Sequence, residues 1–206
     1  MEIAFLQGFS LGGSLTVAVG AQNAFILKQG LRQSYPLLIA VLCSCIDAIM
    51  ITFGVLGFGQ VIDAYPVIVN VARVGGALFL FGYGAHALYM SFVCNEQLSM
   101  KSKSVGSFSQ VLLLTLGVSL LNPSLYLDTV LLLGSISVQF QGLERTLFAI
   151  GAIMASLVWF FSLSFGAKYL SPLFTHSQAW VYLDRAICLV MWSLAVILIA
   201  PYLNLL

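Results

Sequence analysis

Charged residues are so sparse in this sequence that long stretches contain none at all. No Asp, Glu, Lys or Arg lies between Glu2 and Lys28, and a second uncharged stretch covers residues 146–167. Only 7% of the 206 residues are charged, whereas a soluble domain usually contains about 25%. Eight basic and seven acidic side chains cannot cover a water-facing surface of this size. The chain is therefore expected to be a compact polytopic membrane protein of one domain.

Six membrane spans are predicted from the uncharged runs, because a helix needs about 20 apolar residues to cross a bilayer. The spans are 2–28, 36–62, 66–93, 104–143, 146–167 and 186–206. The fourth run is too long for one straight helix, and Asn122-Pro123 interrupts it. Proline removes a backbone donor and disfavours helix in the preceding residue. The fourth span is therefore predicted to be a broken helix, and the polar stretch 94–107 to be the main loop.

The Lys and Arg residues concentrate in alternate loops. The loops after spans 1, 3 and 5 carry Lys28, Arg32, Lys101, Lys103, Lys168 and Arg185, and the other two carry Arg73 and Arg145. Cytoplasmic loops hold the excess of basic residues in membrane proteins. The first set of loops is therefore expected in the cytoplasm, with both termini on the outer side.

The two halves of the chain share features in matching places. Arg73 stands at the beginning of span 3 and Arg185 at the beginning of span 6, and amides occur in spans 1 and 4. Three spans in each half is an odd number, so the second half enters the membrane inverted. We therefore predict an all-α domain of two inverted three-helix repeats, about 1–93 and 108–206, with broken helices 1 and 4. Secondary transporters have this architecture and bind substrate at the repeat interface near the midplane.

Two carboxylates lie inside the predicted spans. Asp47 is near the middle of span 2, and Asp128 follows the break in span 4. A charged side chain at the bilayer centre costs at least about 2.5–3.5 kcal/mol, so each should face a cavity or a partner. Both are candidate substrate-binding residues. The alternatives are a protonated or paired structural role for Asp47 and a position near the membrane surface for Asp128.

Amide side chains accompany both breaks. Gln22 and Asn23 lie near the end of span 1, and Asn122 lies at the break in span 4. Such amides satisfy backbone groups freed at a break, or they hydrogen-bond the ammonium and carboxylate of a substrate. With Tyr126, a polar neighbour of Asp128, they complete the candidate substrate site. The half-helix that begins after the second break points the positive end of its dipole at the same place.

Three further ionisable residues in or near the spans each have two readings. Arg73 and Arg185 reach lipid headgroups, or they form a gating ion pair with an acidic residue across the repeat. His86 is a hydrogen-bonded core residue or a proton relay.

No cofactor, metal ion or nucleic acid is expected. Cys43, Cys45, Cys94 and Cys188 lack zinc-site spacing, and residues two apart on a helix point to different faces. The sequence also has no basic patch that would hold a phosphate backbone.

Several motifs together resemble one known family. Span 1 carries Gly20-Ala21-Gln22-Asn23-Ala24-Phe25, span 3 carries Arg73-Val74-Gly75-Gly76, and span 4 carries Leu121-Asn122-Pro123-Ser124-Leu125-Tyr126-Leu127-Asp128-Thr129. The first is close to the Gly-Pro-Gln-Asn-x-Phe motif of the lysine/arginine exporter family of small bacterial inner-membrane proteins. The run in span 4 is the most specific and looks like the basic amino-acid branch of that family. The resemblance covers most of the chain.

The sequence departs from the family pattern at two positions. Ala21 stands where the family usually has proline, which predicts a softer break in span 1. Asp184 stands where asparagine is common, which alters the pairing expected of Arg185. The resemblance implies export of L-lysine or L-arginine from the cytoplasm, driven by the proton motive force or a coupled ion.

Two membrane carboxylates suit such a cationic substrate. Asp47 and Asp128 can match a side-chain cation and an α-ammonium. A low dielectric favours the neutral acid in the empty site and a bound cation favours the carboxylate, which gives a route to antiport. The alternatives are a membrane thiol-redox carrier and a non-transporting membrane subunit. The expected partners are the amino acid, protons or another coupling ion and the lipid bilayer, and association into homo-oligomers is left open.

Overall fold

The computed structural model describes residues 2–18, 20–58, 66–93, 107–122, 125–174 and 177–203, and all regular structure within these ranges is helical. The α-helices are α1 (Glu2–Val17), α2 (Ala21–Leu31), α3 (Pro36–Phe53), α4 (Pro66–Val93), α5 (Phe108–Leu120), α6 (Leu133–Ser137), α7 (Leu143–Leu170) and α8 (Ser177–Leu203). The π-helical segment Gly54–Phe58 follows α3, and the π-helical segment Leu125–Leu132 precedes α6. A 3-10 turn, Ser171–Phe174, follows α7. The prediction of an all-helical chain is confirmed.

Three to five helical units in the described residues are long and apolar enough to cross a membrane. Pro36–Gly57, Leu143–Leu170 and Gln178–Ala200 each qualify alone. Helices α1 and α2 qualify together with a bend of 76°, and α5 qualifies with Leu125–Ser137 with a bend of 54°. Helix α4 has 28 residues and is not counted among these units, which cover the described residues alone. The predicted count of six spans therefore stays a prediction.

The last span begins earlier than predicted. Helix α8 begins at Ser177, so Asp184 and Arg185 lie inside it and not at its mouth. Polar residues at the start of a membrane helix do not end the helix, since the backbone must stay hydrogen-bonded. The main loop predicted at 94–107 lies outside the described residues except for Ser107. The hydroxyl of Ser107 accepts a hydrogen bond from the backbone N–H of Gln110 and caps α5.

The molecule exposes apolar side chains and buries polar ones. The exposed large hydrophobic residues include Ile3, Leu6, Leu56, Leu78, Leu189 and Ile197. The buried polar residues include Gln22, Lys28, Ser44, Asp47, Thr115 and Asp184. So many exposed large apolar side chains are unusual in a soluble domain. They fit a chain whose outer surface meets lipid and whose charged and amide groups in the spans face the interior.

Small residues bring α1 and α7 into backbone contact. A Cβ atom on Gly8 would overlap the carbonyl oxygen of Phe148, and one on Gly151 would overlap that of Phe5. A Cβ atom on Gly12 would lie 2.8 Å from the Cα atom of Ala152. Close helix approach of this kind is the usual means of association in a membrane, where lipid removes the hydrophobic drive.

The remaining helices pack around this pair. Helix α2 also packs on α7, α3 packs on α7 and α5, and α4 packs on α8. The larger apolar cluster contains Phe25, Ile39, Leu80, Phe160 and Met191, from five helices.

Candidate functional site

The break between α1 and α2 is held by one amide side chain. The Nδ2 atom of Asn23 donates to the carbonyl oxygens of Thr16, at 2.9 Å, and Ala18, at 2.8 Å. The indole N–H of Trp159, on α7, donates to Oδ1 of Asn23 over 3.2 Å. The amide therefore satisfies backbone groups that the break deprives of helical partners. Two roles were considered for this amide, and the structure shows the one in which it hydrogen-bonds backbone groups at the break.

Asn23→Ala is expected to destabilise the protein by about 1–3 kcal/mol, because two hydrogen bonds at the break, each worth about 0.5–1.5 kcal/mol, are lost. The measurement is the thermal unfolding midpoint of purified protein in detergent, with Gln139→Ala as the matched control. Gln139 is an exposed amide, so its removal should leave the midpoint unchanged. Equal midpoints for both variants would show that the amide does not hold the break.

Asp47 occupies the centre of the bundle. It lies on α3, is 6% exposed, and its Oδ2 atom accepts a hydrogen bond of 2.9 Å from the hydroxyl of Ser156 on α7. The Ser156 hydroxyl lies 3.2 Å from the hydroxyl of Thr16, which donates to the carbonyl oxygen of Gly12. This chain of polar groups connects α3, α7 and α1 next to the first break.

A cavity of about 90 Å³ opens beside Asp47 and reaches both breaks. Its polar lining residues are Thr16, Gln22, Asn23, Asp47, Asn122, Asp128, Thr129 and Ser156. The structure thus brings five of the six proposed substrate-binding residues to one cavity. No Lys, Arg or His is among the described residues that line it. The lining therefore carries two carboxylates and no compensating cation.

Gln22 differs from the neighbouring Asn23 in having an unused donor. Its side chain is 9% exposed, and its Nε2 atom makes no hydrogen bond of normal geometry with a described residue, the weakly accepting thiol of Cys43 being its neighbour. A buried amide donor without a partner is costly in a finished structure. A ligand carboxylate or carbonyl in the adjoining cavity would satisfy it.

Asp128 reaches the cavity from the second half of the chain. It is half-buried and lies on the π-helical segment Leu125–Leu132, beyond the second break. π-Helical turns are widened and are frequent at functional sites. Asn122, before the break, lines the cavity and accepts a backbone hydrogen bond of 3.1 Å from Leu125. Pro123, predicted to cause the break, lies outside the described residues.

Tyr126 does not join the site. Its hydroxyl donates to the carbonyl oxygen of Leu120 over 2.8 Å, and Tyr126 is not among the residues that line the cavity. The reason is the winding of this segment, which points residues two apart in different directions. Tyr126 therefore does not line this cavity with Asp128, and its predicted role in substrate binding stays a prediction.

Of the two arginines for which a gating ion pair was one alternative, Arg185 forms no ion pair with another described residue. Arg185 is exposed on α8, and its guanidinium lies 6.0 Å from the centre of the Phe92 ring. Its neighbour Asp184 points inward, because adjacent residues on a helix face different sides. Arg73 lies within α4, and its side chain falls outside what the structure describes.

The buried ion pair joins two residues that the sequence analysis assigned to loops. Lys28, on α2, pairs with Asp184, on α8, and the two side chains are 4% and 1% exposed. A signal for Asp184 exists in the sequence. It shares a helical spacing with an apolar stripe at 187, 188, 191 and 195, all buried. Ser156, Thr16 and Trp159 were also missed, since hydroxyls and tryptophan are common in membrane helices and give no such signal.

Comparison with known proteins gives one family. Residues 13–201 match the family described as LysE type translocator. The YggA protein of Aeromonas salmonicida is 42% identical over 190 residues, which cover 92% of each chain. The arginine exporter protein ArgO of Photorhabdus laumondii subsp. laumondii is 36% identical over 191 residues, 93% of this chain and 92% of that one. ArgO of Pectobacterium carotovorum subsp. carotovorum is 34% identical over 195 residues, covering 95% and 96%. No solved structure shows a significant match.

Proposed function

Because the chain belongs to the LysE type translocator family, we propose that it exports basic L-amino acids, arginine or lysine, across the bacterial inner membrane. Export of arginine is the activity named for two of its relatives. The observation that carries the proposal is the cavity that Asp47 and Asp128 line without a cationic neighbour. Two carboxylates in a membrane interior are stabilised by cationic partners, and a basic amino acid has two cationic groups, its α-ammonium and its side chain.

The proposed roles of the site residues follow from their contacts. Asp47 and Asp128 bind the two cationic groups of the substrate. The Nε2 atom of Gln22 donates to the α-carboxylate, and Asn122 contributes a further polar contact at the second break. Asn23 holds the first break in shape and acts by positioning. The positive end of the half-helix after the second break favours the carboxylate as well.

The cavity as observed is smaller than a typical small-molecule site. About 90 Å³ accommodates a few water molecules, whereas small-molecule sites measure about 300–1,000 Å³. Substrate binding therefore requires the surrounding helices to separate. Movement of this kind is the basis of alternating access, in which one half of a transporter rocks against the other around the site.

The helix contacts support two inverted repeats, 1–93 and 108–206. The first span packs on the fifth through α1 and α7, and the fourth packs on the second through α5 and α3. The third packs on the sixth through α4 and α8. Exchanging the halves maps this set of pairs onto itself, as a two-fold relation requires. Asp47 and Ser156, from the second and fifth spans, meet at its centre.

Exchange of a proton for the substrate is the coupling we propose. With the substrate absent, a carboxylate in a low dielectric binds a proton, and a cation entering the site displaces it. The hydroxyl of Ser156 stabilises the charged form of Asp47 during that exchange. Proton entry from outside then drives the amino acid outward. The described cysteines are Cys43 and Cys188, which are buried, and Cys45, which is exposed; all three are free thiols, so no observation favours a redox carrier.

Purified protein in liposomes is expected to transport radiolabelled arginine or lysine, and to transport leucine at the background rate of empty liposomes. An opposing pH gradient should accelerate the flux, because protons are the proposed counter-ion. Cells that lack the protein should correspondingly become sensitive to canavanine or to arginine-containing dipeptides. Transport of leucine alone, or no transport of any basic amino acid, would sink the proposal.

A further inference from the structure

A second and larger cavity lies at the other end of α2. It measures about 570 Å³ and is enclosed by α2, α4 and α5. Its polar lining residues are Lys28, Gln29, Arg32, Ser34, His86 and Gln110. The volume falls in the range of small-molecule binding sites. No acidic side chain is among the described residues that line it, so the lining favours an anionic group.

Helix α2 connects the two cavities. Gln22 and Asn23, at its beginning, line the smaller one, and Lys28, near its end, lines the larger. Phe25 lies between them, is fully buried and meets the ring of Tyr83 edge-on at 5.9 Å. Tyr83 also lines the larger cavity. This aromatic pair separates the two cavities in the conformation observed.

The ion pair of Lys28 and Asp184 stands at the same boundary. Lys28 faces the larger cavity, and Asp184 is buried beyond it on α8. A buried carboxylate left without a cation is strongly unfavourable. If a second cation approached Asp184 while Lys28 moved away, the Asp184 carboxylate would remain in an ion pair throughout the exchange. Exchange of partners is therefore easier than separation of the pair.

Arg32 offers an anchor for a carboxylate at the mouth of this cavity. Its guanidinium carbon lies 5.7 Å from the centre of the Trp180 ring. The planar guanidinium group can bind a carboxylate in a bidentate manner. Arg32 and Lys28 line the same cavity, and Asp184 is in contact with Lys28, so one small molecule in the cavity can approach both Arg32 and Asp184.

We propose that the larger cavity is a second binding site for the transported basic amino acid. Arg32 binds its α-carboxylate, and its cationic side chain replaces Lys28 as the partner of Asp184. The site lies on the side of the basic loops, which the distribution of Lys and Arg places in the cytoplasm. Substrate thus binds here first and then passes Phe25 and Tyr83 to reach Asp47. This inference rests on the proposed function and adds the site at which the substrate is admitted.

The test measures arginine transport in liposomes by wild-type protein and by the double variant Lys28→Gln/Asp184→Asn. The single variant Asp184→Asn would leave the Lys28 charge buried and uncompensated, whereas the double variant leaves no lone charge and should accumulate normally. We expect the double variant to transport arginine at less than about a tenth of the wild-type rate, since one charge-assisted contact accounts for about tenfold. A double variant that transports at the wild-type rate overturns the inference.

Arg32→Gln supplies a second arm that removes no buried charge. It should raise the arginine concentration for half-maximal transport from the cytoplasmic face by at least about tenfold. Lys168→Gln is the matched control, since Lys168 is also a cation stacked on an aromatic ring, 5.1 Å from the centre of Tyr169. If Arg32→Gln changes the response to anionic lipid and not to arginine, the cavity holds a lipid headgroup and the inference is wrong. Failure of the wild-type protein to transport basic amino acids would instead refute the proposed function.

Discussion

Asp47→Asn is expected to abolish arginine export while the protein still inserts and accumulates at the wild-type level. Asparagine keeps the shape of the side chain, and its carbonyl oxygen can accept the hydrogen bond that Ser156 donates to Asp47. The packing of α3 against α7 should therefore survive. The change removes the negative charge from the 6% exposed carboxylate that faces the smaller cavity.

The size of the effect follows from the burial of that charge. Removing one partner of a buried charge pair costs about 2–5 kcal/mol, which corresponds to a loss of at least about 30-fold in substrate affinity. Loss of the titratable group also removes the site at which a proton is exchanged. Both effects reduce transport, and together they leave no measurable flux.

Radiolabelled arginine flux in liposomes, at matched protein content, measures the result. Glu2→Gln is the matched control, because Glu2 is an exposed carboxylate far in sequence from the cavity. Asp128→Asn should also abolish transport, and Ser156→Ala should reduce it only in part, since the carboxylate remains. Wild-type transport by Asp47→Asn would show that Asp47 is structural, as a non-transporting subunit would require.

Gly151→Ala is expected to prevent α1 and α7 from docking and to leave little folded protein in the membrane. The added methyl group would overlap the carbonyl oxygen of Phe5 and lie 2.8 Å from the backbone nitrogen of Phe9. Backbone atoms on a packed helix cannot move aside as a flexible side chain can. The cost should therefore reach or exceed the upper end of the range for overpacked sites, about 1–3 kcal/mol.

Gly166→Ala is the control on the same helix. A Cβ atom at Gly166 meets nothing within 4 Å, so the substitution should be neutral or slightly stabilising. Size-exclusion profiles and unfolding midpoints in mild detergent will distinguish the two variants. Gly8→Ala should behave like Gly151→Ala, because it overlaps the carbonyl oxygen of Phe148. Equal midpoints for Gly151→Ala and Gly166→Ala would mean that the two helices do not approach as closely as described.

The residues that could best be identified from the sequence are those with charged or amide side chains within apolar helices. A carboxylate in an apolar run has few tolerable positions, and Asp47 and Asp128 both line the smaller cavity. The amides at the breaks lie there for the same reason. Whether any of these residues binds substrate stays a prediction, since only the transport of variants can test it.

Other features of the interior could not be predicted because they depend on which helices pack together and not on the type of residue in the sequence. Lys28 and Asp184 lie far apart in the sequence and near the ends of their apolar runs, so each is indistinguishable from a loop residue. Ser156 acquires its role only from the packing of α3 on α7. The position of the bend in span 1 was predicted from the sequence. Ala21, in place of proline, predicted a soft bend. In the structure the side-chain amide of Asn23 provides hydrogen bonds at this bend.

The hydrogen bond from Trp159 to Asn23 places a fluorophore at the first break. The chain has three tryptophans, and the other two lie elsewhere, Trp180 beneath Arg32 and Trp192 with its indole N–H on the carbonyl oxygen of Phe81. Indole emission shifts to longer wavelength when the ring is exposed to water. Widening of the smaller cavity would therefore change the emission of Trp159, and admission of substrate at the larger cavity would change that of Trp180. Variants that keep only one of these two tryptophans would thus report separately on the two steps of one crossing.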